Sequence, residues 1–123
     1  MLGSREITTI IKKGRKVINS EFVIFYSLSQ LNNCRFGIGV PCKLVKKAVW
    51  RNYYKRQIKN ILANYKDFCQ GSSSHYNFVI IVRPKFLVSQ FLVKQNSLVE
   101  LLNLILYKEL RPSQPVNKKI IYV

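Results

Sequence analysis

The sequence predicts a single small α+β domain, and three observations lead there. At 123 residues the chain has room for one hydrophobic core, not two. Apolar residues make up 48% and charged residues 21%, a balance that folds instead of staying disordered. Finally, segments of strand type and segments of helical period follow one another along the chain.

Ser4 is the expected cap of a short first helix in which Ile7, Ile10 and Ile11 share one face. Lys12 and Lys13 fall in its last turn and Gly14 just past its end. A basic turn is expected next. Glu21 to Leu28 (EFVIFYSL) is rich in β-branched and aromatic residues and reads as a strand, with Phe22, Ile24 and Tyr26 on one face and Val23 and Phe25 on the other. Ser29 to Asn33 reads as a loop. In Phe36 to Val40 (FGIGV) bulky residues alternate with Gly37 and Gly39, so one strand face is bare backbone until Pro41 ends the pairing.

From Val45 to Tyr65 the period becomes helical, with Trp50, Tyr54, Ile58, Ile61 and Tyr65 predicted to face the core. At about 100° per residue, Arg51, Asn52, Lys55, Arg56 and Lys59 fall on an adjoining basic arc. Gln70 to His75 is a Gly/Ser loop, Tyr76 to Val82 (YNFVIIV) a buried strand, and Arg83-Pro84 a break. A last helix is expected within Val93 to Tyr107, burying Leu98, Leu101, Leu102 and Ile105.

The charge narrows the partners. With 21 Lys and Arg against 5 Asp and Glu, the formal charge is +16, which repels itself in the compact state until a polyanion neutralises it. Apolar runs such as Phe78 to Val82 are far short of the roughly 20 residues of a membrane span, and the Ile-rich start lacks a signal-peptide core. A cytoplasmic protein without membrane association is expected. Cys34, Cys42 and Cys69 are an odd number with no C-x-x-C pair, and His75 alone could join them as a nitrogen ligand, so isolated thiols are expected and no metal site. The five acids, Glu6, Glu21, Asp67, Glu100 and Glu109, are scattered, so no acid/base pair is visible, nor is any phosphate-binding or nucleophile motif.

The remaining signal is the segment from Lys43 to Lys59, with seven basic residues and no acid in 17 positions. Any single lysine there reads as a solvated face. Together with Trp50 and Tyr53, the cluster reads as a footprint for nucleic-acid phosphates, with arginine and asparagine able to make directional hydrogen bonds.

These residues carry a resemblance. Phe36-Gly37-Ile38-Gly39-Val40, then Lys43, then Ala48-Val49-Trp50-Arg51-Asn52-Tyr53-Tyr54-Lys55-Arg56 resembles the bacterial ribonuclease P protein subunit. That family has a Gly-Ile-Ser-Val-Ser-Lys-Lys strand and turn leading into an Ala-Val-x-Arg-Asn-Arg-x-Lys-Arg helix. The order of elements agrees over residues 4 to 107. There are departures: Tyr53 replaces the second arginine of the triplet, Cys42 the first lysine and Lys46 a glycine, and the turn is one residue longer. Ile7 and Ile11 stand where Phe is frequent, and Phe25 where Tyr is common. Tyr53 either stacks on a base or packs in the core.

The resemblance implies a two-layer α/β sandwich, α+β in class, with a mixed sheet, a long basic helix and a left-handed βαβ crossover. Residues 1–111 would form the domain and 112–123 a basic C-terminal tail. The implied function is that of the protein subunit of ribonuclease P, which promotes endonucleolytic removal of the 5′ leader from precursor tRNA. Catalysis would belong to the RNA subunit with its Mg²⁺, so no catalytic residue, metal ligand or organic cofactor is assigned to the chain. Lys43, Lys46, Lys47, Arg51, Asn52, Tyr53, Lys55, Arg56 and Lys59 would bind the catalytic RNA. Ile7, Ile11, Val23 and Phe25 would line a cleft for the leader of precursor tRNA. No obligate protein partner is evident. The alternative is a non-enzymatic ribosomal RNA-binding protein, which needs the basic helix but no cleft.

Overall fold

A computed structural model describes residues 2–29, 34–64 and 76–110. Helix α1 spans Ser4–Lys13 and strand β1 Arg15–Ile18. Strands β2 (Phe22–Leu28) and β3 (Arg35–Gly39) follow, then helix α2 (Ala48–Ala63) and strand β4 (Tyr76–Val82). The short helix α3 covers Pro84–Val88, and α4 covers Phe91–Leu110. The sheet order is β1-β2-β4-β3, with β2 antiparallel to both neighbours and β3 parallel to β4. The sheet is therefore mixed, and α2 lies in the crossover joining its parallel pair.

Strand alternation divides the apolar residues between two faces. One face presents Val17, Phe22, Ile24, Tyr26, Ile38, Phe78 and Ile80 to Ile58, Ile61 and Leu62 of α2, Phe86 of α3, and Leu98, Leu101, Leu102 and Ile105 of α4. Rings lock this core: Phe22 meets Phe86 edge to face at 5.3 Å, and Phe36 stacks on Phe78 at 5.2 Å. The other face carries a smaller cluster in which Leu2 and Ile10 cover Val79, with Ile7, Phe25 and Ile81 packed alongside.

Several expectations are corrected. Gly3, not Ser4, caps α1, because the Glu6 carboxylate accepts the Gly3 backbone N–H at 3.2 Å. The expected basic turn is strand β1, in which Val17 is fully buried and the cations lie toward solvent or the sheet edge. Helix α2 starts at Ala48, not Val45, since Pro41 accepts the N–H groups of Leu44 and Val45 in a preceding turn. Trp50 is 51% exposed and does not belong to the core stripe, which continues through Leu62 instead. Arg83-Pro84 breaks the strand but also begins α3, with Pro84 in the first turn where its missing N–H is harmless. The last helix starts at Phe91, two residues before the predicted stretch. Tyr65, Cys69, most of the Ser29 to Asn33 loop, the Gln70 to His75 loop and the tail lie outside the described residues.

Candidate nucleic-acid interface

Pairing register builds an open cleft on the α1 face of the sheet. Residues of that face line up across the strands in rows. One row is Lys16, Phe25, Val79 and Gly37, and the next is Ile18, Val23, Ile81 and Gly39. Helix α1 covers the first row at its β3 end. Its Ile7 rests on Gly37, where an added Cβ would lie 3.0 Å from the isoleucine Cδ1. Among the described residues the second row has no such cover from α1, and Ile18, Val23, Ile81 and Gly39 are all half-buried.

Of the predicted cleft residues, Ile7, Val23 and Phe25 are half-buried, while Ile11 is 38% exposed on the wall, one helical turn beyond Ile7. Sequence reasoning missed Ile81, because the run YNFVIIV reads as buried on both faces. The parity of the strand, which separates Val79 and Ile81 from Phe78 and Ile80, is the signal that finds it. Lys16 was hidden by reading β1 as a turn. Its ammonium stands 5.9 Å from the Phe25 ring centroid, placing a cation at the β1 end of the floor.

The wall is fastened at its start. Arg35 of β3 forms an ion pair with Glu6, its Nη1 donating to Oε1 at 3.3 Å, and the Leu2 N–H donates to the Phe36 carbonyl at 3.3 Å. The Gly3 N–H and the Arg35 guanidinium hold the Glu6 carboxyl below its ordinary value. On the far side of α1 lies a groove of about 590 Å³ with a mixed lining, in which Ile10 and Leu28 stand beside Arg5, Glu6, Thr9, Arg35 and Asn77.

Gly39, at the end of the open row, lies two residues before Pro41, so the cleft floor leads into the turn that starts α2. In that turn Lys43, Lys46 and Lys47 are exposed. Arg51 reaches back and donates through Nη1 to the carbonyls of Val45 at 2.9 Å and Lys46 at 2.6 Å, fixing the turn. The start of α2 has no acidic residue in its first turn and no side-chain cap. The positive end of its dipole thus adds to the lysines. Asn52, Arg56 and Lys59 are exposed and Lys55 is half-buried, giving the predicted arc. Tyr53 is 42% exposed, which places it outside the core.

Together these features can hold a polyanion along α2 and its turn, and unpaired bases on the apolar floor. Among the described residues no group of three or more His, Cys, Asp or Glu side chains could hold a metal ion. No helix among them is long and apolar enough to cross a membrane.

Comparison with known proteins gives one consistent family. The Ribonuclease P family model matches residues 1–105. The ribonuclease P protein component of Mycoplasmopsis pulmonis is 34% identical over 97 residues, covering 79% of this chain and 82% of the relative. That of Ureaplasma parvum is 30% identical over 110 residues, covering 88% and 92%. Among solved structures, the RNase P protein of Staphylococcus aureus superposes with a TM-score of 0.74 at 28% identity, over 85% of this chain and 93% of the other. The Thermotoga maritima protein gives 0.71 at 27% identity, over 82% and 92%.

Proposed function

The chain belongs to the bacterial ribonuclease P protein component family, and from that premise we propose how its surfaces divide the work. It is the protein subunit of a ribonucleoprotein that removes the 5′ leader of precursor tRNA, and it binds both the catalytic RNA and the leader. Mg²⁺ held by the RNA subunit supplies the hydrolytic chemistry, which accounts for a chain whose acids are scattered. Family membership decides against the ribosomal alternative.

In this reading the leader lies on the floor of Phe25, Val23 and Ile81 against the α1 wall of Ile7 and Ile11. Lys16 meets its phosphates at one end. Lys43, Lys46, Lys47, Asn52, Lys55, Arg56 and Lys59 hold the catalytic RNA, chiefly through phosphates. Arg51 acts as a positioning residue that keeps the lysine turn in shape, and Tyr53 offers a ring instead of a guanidinium. Residues 1–111 form the working domain. The observation that carries the reading is the register, which leaves one apolar row open beside a fastened helix and leads it into the basic turn.

Isolated protein should cut neither precursor tRNA nor single-stranded RNA with any divalent metal. Added to the catalytic RNA at near-physiological Mg²⁺, it should strongly raise cleavage at the mature 5′ end. Metal-dependent cleavage by protein alone that disappears in Glu21→Gln or Asp67→Asn variants would overturn this division of labour.

A further inference from the structure

We propose that Trp50 and Tyr53 form an aromatic platform for an unpaired nucleobase of the catalytic RNA, one ring stacking on the base and the other, perpendicular to it, meeting the base edge. The contact rests on the reading of α2 as the RNA-docking helix. The two rings stand edge to face, 5.7 Å apart at 88°, and are 51% and 42% exposed. Single exposed apolar residues are ordinary on protein surfaces, but these two form part of a contiguous patch with Val49, which is 65% exposed.

The patch is rigid. Tyr53 packs edge to face on Tyr54 at 5.3 Å, and Tyr54 on the buried Phe86 at 5.6 Å, so a line of rings runs from the surface to the core. A polar chain fixes the same ring from its other end. The buried Lys94 donates from Nζ to Gln57 Oε1 at 3.0 Å, and Gln57 donates from Nε2 to Tyr53 Oη at 3.1 Å. Lys94 itself sits 4.4 Å from the Phe86 centroid and 5.2 Å from that of Tyr54. Rings held this way lose little side-chain entropy when a base lies on them.

The charge around the patch selects the occupant. Trp50 follows the exposed Lys46 and Lys47 within one turn, and Arg56 lies three residues beyond Tyr53, about 60° away around the helix axis. The helix has no acid anywhere along its length. Aromatic faces set among cations suit single-stranded RNA, whose bases stack on a ring while phosphates meet the charges. Tyr53 stands where the family pattern has an arginine, so stacking on this platform would replace a guanidinium contact with one that salt does not screen.

Trp50 is the only tryptophan, so its fluorescence reports on the platform without any substitution. Wild-type protein is titrated with the catalytic RNA subunit from the same source, and with a fully paired RNA duplex of similar length. Binding is followed separately by anisotropy of end-labelled RNA. The expected result is quenching of Trp50 by the catalytic RNA and none by the duplex at saturation. Trp50→Ala and Tyr53→Ala should each weaken binding by about 5- to 150-fold with the salt slope unchanged, and Trp50→Phe should keep most of the affinity. Saturated binding of the catalytic RNA with unchanged Trp50 emission overturns the platform and frees the rings for another partner. Equal quenching by the duplex also overturns it, since the contact would then be to backbone. Failure of wild-type protein to bind the catalytic RNA at all would instead overturn the proposed function. The fluorescence result stands even if a variant fails to fold.

Discussion

Arg51 and Arg56 lie five residues apart on the same helix and do different things. Arg51 spends Nη1 on two carbonyls of the lysine turn, whereas Arg56 is exposed. Arg51→Ala should therefore lower thermal stability by about 1 to 3 kcal/mol, the range for losing hydrogen bonds from a charged donor, and loosen the turn as it does so. Arg51→Lys should not restore it, because an ammonium lacks the planar fork. Arg56→Ala should leave the melting temperature alone and reduce the salt slope of RNA binding by about one. A common effect of both variants would contradict this division. Composition and spacing place both arginines on one basic arc, but an intramolecular carbonyl partner six residues back is not legible in a list of charges. Glu6 has a similar hidden partner in Arg35. Its folded pKa is lowered from 4.5, so it contributes stability above that value, lost as pH falls through the lowered one. Melting temperature followed from neutral to acid pH should show a shallower acid limb for Glu6→Gln than for wild type.

At the scale of elements, the placement of α1 depends on two close approaches. A Cβ at Gly14 would stand 2.5 Å from the Ile10 carbonyl oxygen and 2.8 Å from that of Tyr26, both backbone atoms that cannot swing aside. Gly14→Ala should destabilise by roughly 2 kcal/mol or more and displace the cleft wall. At Gly39 the nearest atom, Ile81 Cγ1, would be 3.5 Å away, an ordinary contact, so Gly39→Ala should be close to neutral in thermal unfolding. The glycine alternation in FGIGV was legible as a bare strand face, and the structure seats Ile7 on it. Strand β1 was not legible, because four residues with two cations give the alternation pattern only one buried position, Val17. The position of Trp50 was misread for a related reason: the 3.6 period fits it, yet α2 turns its core face toward Tyr54, Ile58, Ile61 and Leu62, leaving the first turn projecting into solvent. The order β1-β2-β4-β3 was not legible, since periodicity carries no information about which strands are neighbours and the resemblance implied only a mixed sheet with a left-handed crossover.

Over the whole molecule, a charge of +16 on 123 residues calls for a polyanion to neutralise it. The sheet separates two jobs. Its α1 face holds an apolar cleft, α2 packs on the opposite face, and the turn after β3 connects them. General affinity for RNA resides in the charge, so it falls with salt and tests nothing about the cleft. The direct test is Phe25→Ala, measured for affinity to precursor tRNA with a leader of several nucleotides and to mature tRNA, each in the presence of the catalytic RNA, with the melting temperature recorded alongside. Removing this ring should cost about 1 to 3 kcal/mol with the leader-bearing substrate, roughly 5- to 150-fold, and nothing with mature tRNA. A folded Phe25→Ala protein that loses affinity equally for both would contradict the cleft as the leader's binding site.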